Sequence, residues 1–513
     1  MRTVHEAIGG VETYSPAEER FNRRRRTWGL ALAPTVFALI WVLPLPALSV
    51  PAHRLAAILA MVVVLWICES LPMAMTAVLG PVLAIVMGVA PARETLAPFA
   101  DPIIFLFIGS FMLAEAMFVH KVDRRIAFTA LSSRFVGTSA ARMLVVYGGV
   151  AAVLSMWMSN TATTAMLFPI GLAIVSHVAR TAPRPAGASV GRFALAMMLM
   201  TAFGASVGGL ATPVGTPPNL IGIGLIDRLH GLHIGFFQWM AVGLPVAALL
   251  FGFLALYFYL TCVRGRGLTI GEDSAALVRQ ELTRLGPMSR GQRNVLIAFG
   301  ATVVLWMIPG LFAITGQGSA DFARAYAAAV PEGVAAMLGA LLLFVLPVNW
   351  RARRFTLSWD EAVRIDWGIV LLYGGGLALG ELAFSTGLAE TLGQTLTGWL
   401  PSHTAVTLAV LFAATAILLS ETTSNTASAN MLVPIAIAVA QATGVDPVLP
   451  AVAATLGASL GFMMPISTPP NAIVYSSGYV PITAMMRYGL ALDLVGFILI
   501  VGLVLALAPF VLP

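Results

Sequence analysis

The segment Ser159–Ile170 (SNTATTAMLFPI) returns 265 positions later as Ser424–Ile435 (SNTASANMLVPI), identical at eight of twelve positions. Two more matched sets occur in the same order. Thr-Pro-Pro-Asn stands at Thr216–Asn219 and again, 252 positions on, at Thr468–Asn471. Gly109, Glu115 and Phe118 match Gly375, Glu381 and Phe384 at an offset of 266. Near-constant offsets between ordered matches mark an internal repeat, so the two halves must fold alike and bury their apolar faces against one another.

Each Ser-Asn-Thr copy sits near the middle of an apolar stretch too long for one crossing. Arg142 to Arg180 is 39 residues, about 58 Å as a straight helix against a hydrocarbon core of about 30 Å. It must double back at the tip. With arginine at both ends it enters and leaves by one face, as a re-entrant hairpin or two short spans. The stretch near 403–441 repeats the pattern around Ser424-Asn425-Thr426. Segment 193–226 is also too long, and Pro217-Pro218 removes two backbone donors in its middle. It reads as one span with an unwound centre, as does 450–480.

Composition excludes a soluble enzyme. Only 10% of the residues are charged and 59% are apolar, against about 25% charged in a soluble domain. The 48 glycines and 31 prolines supply helix breaks that lipid tolerates only where protein or a polar cavity satisfies the backbone. Further spans read at 28–48, 54–70, 72–90, 102–119, 240–262, 295–315, 332–348, 367–386 and 489–511, with a charged amphipathic stretch at Lys121–Arg134 on the interface. Counting crossings from a cytoplasmic N-terminus places the runs Arg23–Arg26, Arg264–Arg293 and Arg351–Arg354 on the inside, as orientation signals require. The net charge of +6 resides in these short runs, so nucleic acid is not the partner; the lipid bilayer is.

Five crossings lie between the two tips, and an odd number turns the second half over. The fold class is therefore an all-α polytopic membrane protein of about eleven transmembrane helices and two re-entrant hairpins in an inverted repeat. The expected division is a cytoplasmic tail (1–27), a first transmembrane helix (28–50), a first repeat (51–262) with hairpin 141–180, a cytoplasmic loop (263–294) and a second repeat (295–513) with hairpin 403–441. An inverted repeat with matched helix breaks is the plan of secondary transporters, whose sites lie near the midplane. An anion channel needs polar residues in lipid but not this duplication.

Each tip offers a side-chain amide, hydroxyls and the free N–H groups that open its second leg, which suit a carboxylate. The first leg ends in free carbonyls, which with Ser and Asn oxygens suit a small hard cation such as sodium. No Lys or Arg lies in either tip or either TPPN loop. The pocket is expected to be neutral, so bound cations must balance a dianion.

The paired SNT and TPPN motifs, with Ala458–Val474 (ASLGFMMPISTPPNAIV), resemble those of the divalent anion/sodium symporter family, whose members carry dicarboxylates, citrate and, in some branches, sulfate. The resemblance implies a sodium-coupled dicarboxylate carrier of the bacterial inner membrane, not an enzyme, working as a homodimer with elevator-type motion. It implies a first sodium site of Ser155, Ser159, Asn160 and the Gly215 carbonyl. The implied second site is Ser420, Thr423, Asn425 and the Ser467 carbonyl. Substrate carboxylates would meet Asn160, Thr161, Asn425 and Thr426, with Thr216, Thr468 and Pro469 nearby. A sodium-independent exchanger and a sulfate or citrate symporter fit the same motifs.

Other signals read as structural. Gly204–Gly208 and Gly457–Gly461 fit G-x-S-x-G, but on membrane helices with no His after His403, so close helix approach explains them better than a nucleophile elbow. Glu115 and Glu381 lie near span ends and read as structural partners rather than proton carriers. Cys68 and Cys262 read as packing residues.

Overall fold

A backbone in hydrocarbon must satisfy its own hydrogen bonds, and this chain does so almost wholly by helix. The computed structural model describes residues 16–181, 187–265, 272–316, 321–398 and 402–512. Most of the expected cytoplasmic tail, residues 1–15, lies outside the described residues, as do 266–271 of the polar loop. Among the described residues the only strands are a two-stranded ladder, Pro347–Asn349 with Arg354–Phe355, in the arginine-rich loop.

Nine described helices are long and apolar enough to cross a membrane, or ten when Asp321–Ala329 and Glu332–Val345, which meet at 58°, count as one span. That number is not the sequence count of crossings, and the reason is physical. Asn160–Arg180 and Ala405–Thr422 qualify by length but are hairpin legs, whereas the arginine-bearing Pro16–Val42 is not among the nine, Met73–Val86 is short and the second broken span consists of Val448–Ala458 and Pro469–Tyr475. The first helix, Pro16–Val42, begins inside the expected tail, so Arg23–Arg26 stand on a continuous helix rather than on a free segment.

The first hairpin is Ala140–Ser155 followed by Asn160–Thr181, and the second is Ala405–Thr422 followed by Asn425–Ala442. The buried Tyr147 shows that the first doubles back. Its hydroxyl donates to the Leu167 carbonyl at 2.9 Å, and the two residues lie nearly equidistant from the tip on opposite legs. Both second legs start the same way: Ser159 Oγ accepts from Ala162 N and Ser424 Oγ from Ala427 N, each at 3.2 Å. These are N-caps, which satisfy a donor that the first turn leaves free.

Packing sorts the helices into two groups. Pro16–Val42, Val50–Cys68, Met73–Val86, Pro102–Val119, Arg290–Ile314, Glu332–Val345 and Trp367–Ser385 pack chiefly among themselves, although Trp367–Ser385 also lies on Pro217–His230 and Asn425–Ala442, and Arg290–Ile314 on Phe236–Phe258. The hairpins pack with the two broken spans, Gly187–Gly209/Pro217–His230 and Val448–Ala458/Pro469–Tyr475, and with Phe236–Phe258 and Ile482–Val511. Within the second group the halves interlock. Pro469–Tyr475 lies on the second leg of the first hairpin, and Pro217–His230 on the second leg of the second. The G-x-S-x-G glycines act in this packing: Gly208 lies against the Ala152 backbone, and a Cβ on Gly457 would come within 2.9 Å of the Ala413 carbonyl.

Candidate functional site

The two tips carry the same bond at the same offset. Ser155 Oγ donates to Asn160 Oδ1 at 2.6 Å, and Ser420 Oγ to Asn425 Oδ1 at 2.7 Å. Each bond spans the turn, joining the last part of the first leg to the first residue of the second. The breaks in the spans match as well. Asn219 Nδ2 donates to the carbonyls of Gly209 (2.9 Å) and Thr212 (2.8 Å). Asn471 Nδ2 donates to Gly461 (2.9 Å) and Met464 (3.0 Å). In each half one buried amide collects two carbonyls of the unwound stretch: Gly209 and Gly461 stand four residues before Pro213 and Pro465, which lack an N–H, while Thr212 and Met464 also accept from Gly215 N at 3.3 Å and Ser467 N at 3.2 Å.

Each tip is joined to the break of its own half. Gly209 lies directly on the Asn160 amide, and a Cβ on Gly215 would stand 2.5 Å from the Gly209 carbonyl. Thr212 Oγ1 donates to the Met156 carbonyl. In the second half Asn425 Nδ2 donates to the Ser459 carbonyl at 3.3 Å, and Ser420 Oγ is also 2.8 Å from the Ala458 carbonyl. Ser420 has one proton for two acceptors, so the cluster has more oxygen lone pairs than donors. That surplus suits a hard cation. Thr423 Oγ1, Asn219 Oδ1 and Asn471 Oδ1 are likewise buried without a hydrogen-bond partner.

The remaining expected residues are placed as follows. Thr216 and Thr468 are buried at the starts of the helices that follow the breaks, with Thr468 Oγ1 accepting from Asn471 N at 3.4 Å. Thr161 and Pro469 are exposed, and the Thr426 carbonyl accepts from Asn430 Nδ2 at 3.0 Å. Arg25 Nη1 donates to the Thr422 carbonyl, one residue before Thr423, at 3.2 Å. The pocket is not wholly neutral. Glu421, 4% exposed, follows Ser420; its carboxylate accepts from Ser467 Oγ at 2.8 Å and from Met463 N at 2.9 Å. Ser467 is held by Glu421, a contact that sequence reasoning missed. An acid in the centre of an apolar hairpin was the available signal. Asp493, also 4% exposed, lies beside the Glu421 carboxylate and the Phe462 backbone.

A second polar cluster closes the far end of Pro217–His230, beside a cleft of roughly 390 Å³ lined by Asp101, Asp227, Arg228, His233 and Glu332. His233 lies in the loop before Phe236–Phe258, with Nδ1 3.2 Å from Asp227 Oδ2 and Nε2 3.4 Å from Glu332 Oε2. Hydrogen bonds to Asp227 and Glu332 push its imidazolium up to about 10. A raised folded-state value stabilises the protein fully below the unfolded value near 6.5 and is lost as pH rises through about 10. The ring is 56% exposed, and solvent screening holds the contribution to at most about 1 kcal/mol. Thermal unfolding of His233→Gln should thus fall slightly below wild type near pH 6.5 and coincide with it above pH 10.

Inverted hairpins and broken spans that meet in one helical membrane body define a multi-pass membrane transporter. The chain belongs to the family described as the sodium:sulfate symporter transmembrane region, whose model matches residues 24–511. A relative in Staphylococcus saprophyticus, named sodium-dependent dicarboxylate transporter SdcS, is 33% identical over 498 residues, covering 94% of this chain and 92% of that protein. The protein of the same name in Staphylococcus aureus USA300 is 31% identical over 488 residues, covering 94% and 91%. The crystal structure of the Alcanivorax borkumensis YdaH transporter, described as having an unusual topology, shares the fold. It superposes with a TM-score of 0.51 at 15% identity, over 81% of this chain and 87% of that one.

Proposed function

We propose that this protein is a secondary active transporter that imports small dicarboxylates of the succinate, malate and 2-oxoglutarate class together with sodium. The observation that carries this is the repeated tip-and-break unit, in which Ser155–Asn160 and Ser420–Asn425 each present surplus oxygens beside a helix N-terminus. The first sodium ion is held by Ser155, Ser159, Asn160 and the Gly215 carbonyl. The second is held by Ser420, Thr423, Asn425 and the Ser467 carbonyl, with the Glu421 carboxylate next to it. The substrate carboxylates take the amides and hydroxyls of Asn160, Thr161, Asn425 and Thr426, flanked by Thr216, Thr468 and Pro469. Since no Lys or Arg lies in either tip or either TPPN loop, the dianion enters only with its cations, which couples the two fluxes.

Alternating access follows from the two packing groups: the hairpins and broken spans travel as one body past the other helices. The halves divide at the boundaries given above, with the N-terminus cytoplasmic in the inner membrane and two chains forming a homodimer. The names of the staphylococcal relatives support both the cation and the substrate class. Uptake of labelled succinate into proteoliposomes, with and without an inward sodium gradient, tests the reading. Strong dependence on the gradient is expected. Equal uptake in both, raised only by internal dicarboxylate, would replace it with an exchanger; no succinate uptake, but uptake of labelled sulfate that thiosulfate inhibits and succinate does not, would replace it with a sulfate carrier.

A further inference from the structure

Arg228 occupies the last turn of Pro217–His230, the helix that begins at the first TPPN break and packs on the second hairpin. Its Nε donates to Asp101 Oδ2 at 2.7 Å and lies 3.8 Å from Glu381 Oε1. Asp101 and Glu381 both belong to the other packing group. Asp101 is 4% exposed and caps Pro102–Val119: its Oδ1 accepts from Ile103 N at 2.9 Å and from Tyr373 O–H at 3.2 Å. Every neutral bond to this carboxylate therefore comes from its own group. Its cation comes from across the boundary.

A second arginine indicates which conformation this is. Arg25, at the cytoplasmic start of the first helix, donates through Nη1 to the Thr422 carbonyl at 3.2 Å while Nη2 pairs with Glu69 at 2.9 Å. Thr422 ends the first leg of the second hairpin, which enters from the opposite face. The tip of that hairpin has therefore descended to the level of the cytoplasmic arginines, and the mobile group sits towards the cytoplasm. The Arg228–Asp101 bond lies at the outer end of the same boundary.

We propose that Arg228 is a positioning residue for the transport cycle, pinning the mobile group to Asp101 so that the inward conformation is favoured. The proposal rests on the transport reading and on its orientation. Moving the group outward strips a buried carboxylate of its one cation among the described residues, so the pin must break in every cycle. Its contribution appears as population: the apparent affinity on each side scales with the fraction of carriers open to that side. Loss of the pin lowers the half-saturating succinate concentration outside and raises it inside. A merely structural lesion would change the maximal rate and leave the ratio alone.

The test measures half-saturating succinate from each side of oriented proteoliposomes, in sodium, for wild type, Arg228→Gln, Arg228→Lys and Asp101→Asn. The internal-to-external ratio should rise about tenfold in Arg228→Gln and stay near wild type in Arg228→Lys, which keeps the charge. Asp101→Asn should shift it in the same direction, and the double variant by no more than the larger single shift, because one bond is removed either way. Should Asp101→Asn fail to fold, Arg228→Gln against Arg228→Lys still decides. An unchanged ratio in Arg228→Gln, or single shifts that multiply in the double variant, would overturn the pin. Wild type that takes up no succinate from either side would instead overturn the transport reading.

Discussion

Asn160→Ala is expected to abolish sodium-driven succinate uptake while the protein remains folded, and Asn425→Ala to do the same from the other half. Each amide closes its hairpin through a serine hydroxyl at 2.6 or 2.7 Å and, on the proposed reading, serves a sodium ion and a substrate carboxylate at once. Hydrogen bonds to charged groups contribute about 1.5–3 kcal/mol each, so losing two such roles together weakens binding by roughly 10²–10⁴. The fold survives because the legs are held elsewhere, by the caps Ser159 and Ser424 and by Tyr147 on Leu167. Two measurements decide: uptake in proteoliposomes, and the rise in unfolding temperature on adding sodium. Uptake should vanish in each single variant, whereas the sodium-induced rise should shrink, because the other half keeps its own cation site, and vanish only in the double variant. A variant that keeps the full sodium-induced rise but loses uptake would remove the amide from the cation site and leave it only with substrate.

Much of this architecture was legible because it follows from lengths. A mainly apolar stretch of 39 residues from Arg142 to Arg180 cannot cross once, and the midpoint is where the turn had to fall. Two prolines in a row had to stop a helix. The 265-residue offset carried more than the motif, since it also pairs Ser155 with Ser420, the residues that bond to the two tip asparagines. What failed to show was any partner fixed by tertiary approach. Glu421 reaches Ser467 across 46 positions, and nothing local to either residue announces the contact. Arg23–Arg26 read as a tail because charge marks a cytoplasmic border, yet the helix continues through them. Arg228 and Asp101 lie 127 positions apart and outside every motif, so the link between the two packing groups could only be seen in three dimensions.

Asn219→Ala and Asn471→Ala should destabilise the protein more than any substitution at the tips. Both side chains are fully buried, and in each half one amide group serves two carbonyls of the unwound stretch. Truncation leaves the Gly209 or Gly461 carbonyl unpaired, while Thr212 and Met464 keep Gly215 N and Ser467 N, so each variant should lose about 1–3 kcal/mol if the segment does not relax. Water could relieve part of this only where the new cavity admits it, and the neighbouring Gly209 and Gly461 leave little space. Asp at either position should be worse than Ala, because it sets a charged acceptor against two carbonyls. Unfolding temperature in detergent measures the effect, with no dependence on sodium required. The two halves make the same bonds with the same atoms, so the two Ala variants should lose similar stability. A loss confined to one half would mean that the shared geometry at Asn219 and Asn471 is not what holds both breaks in place.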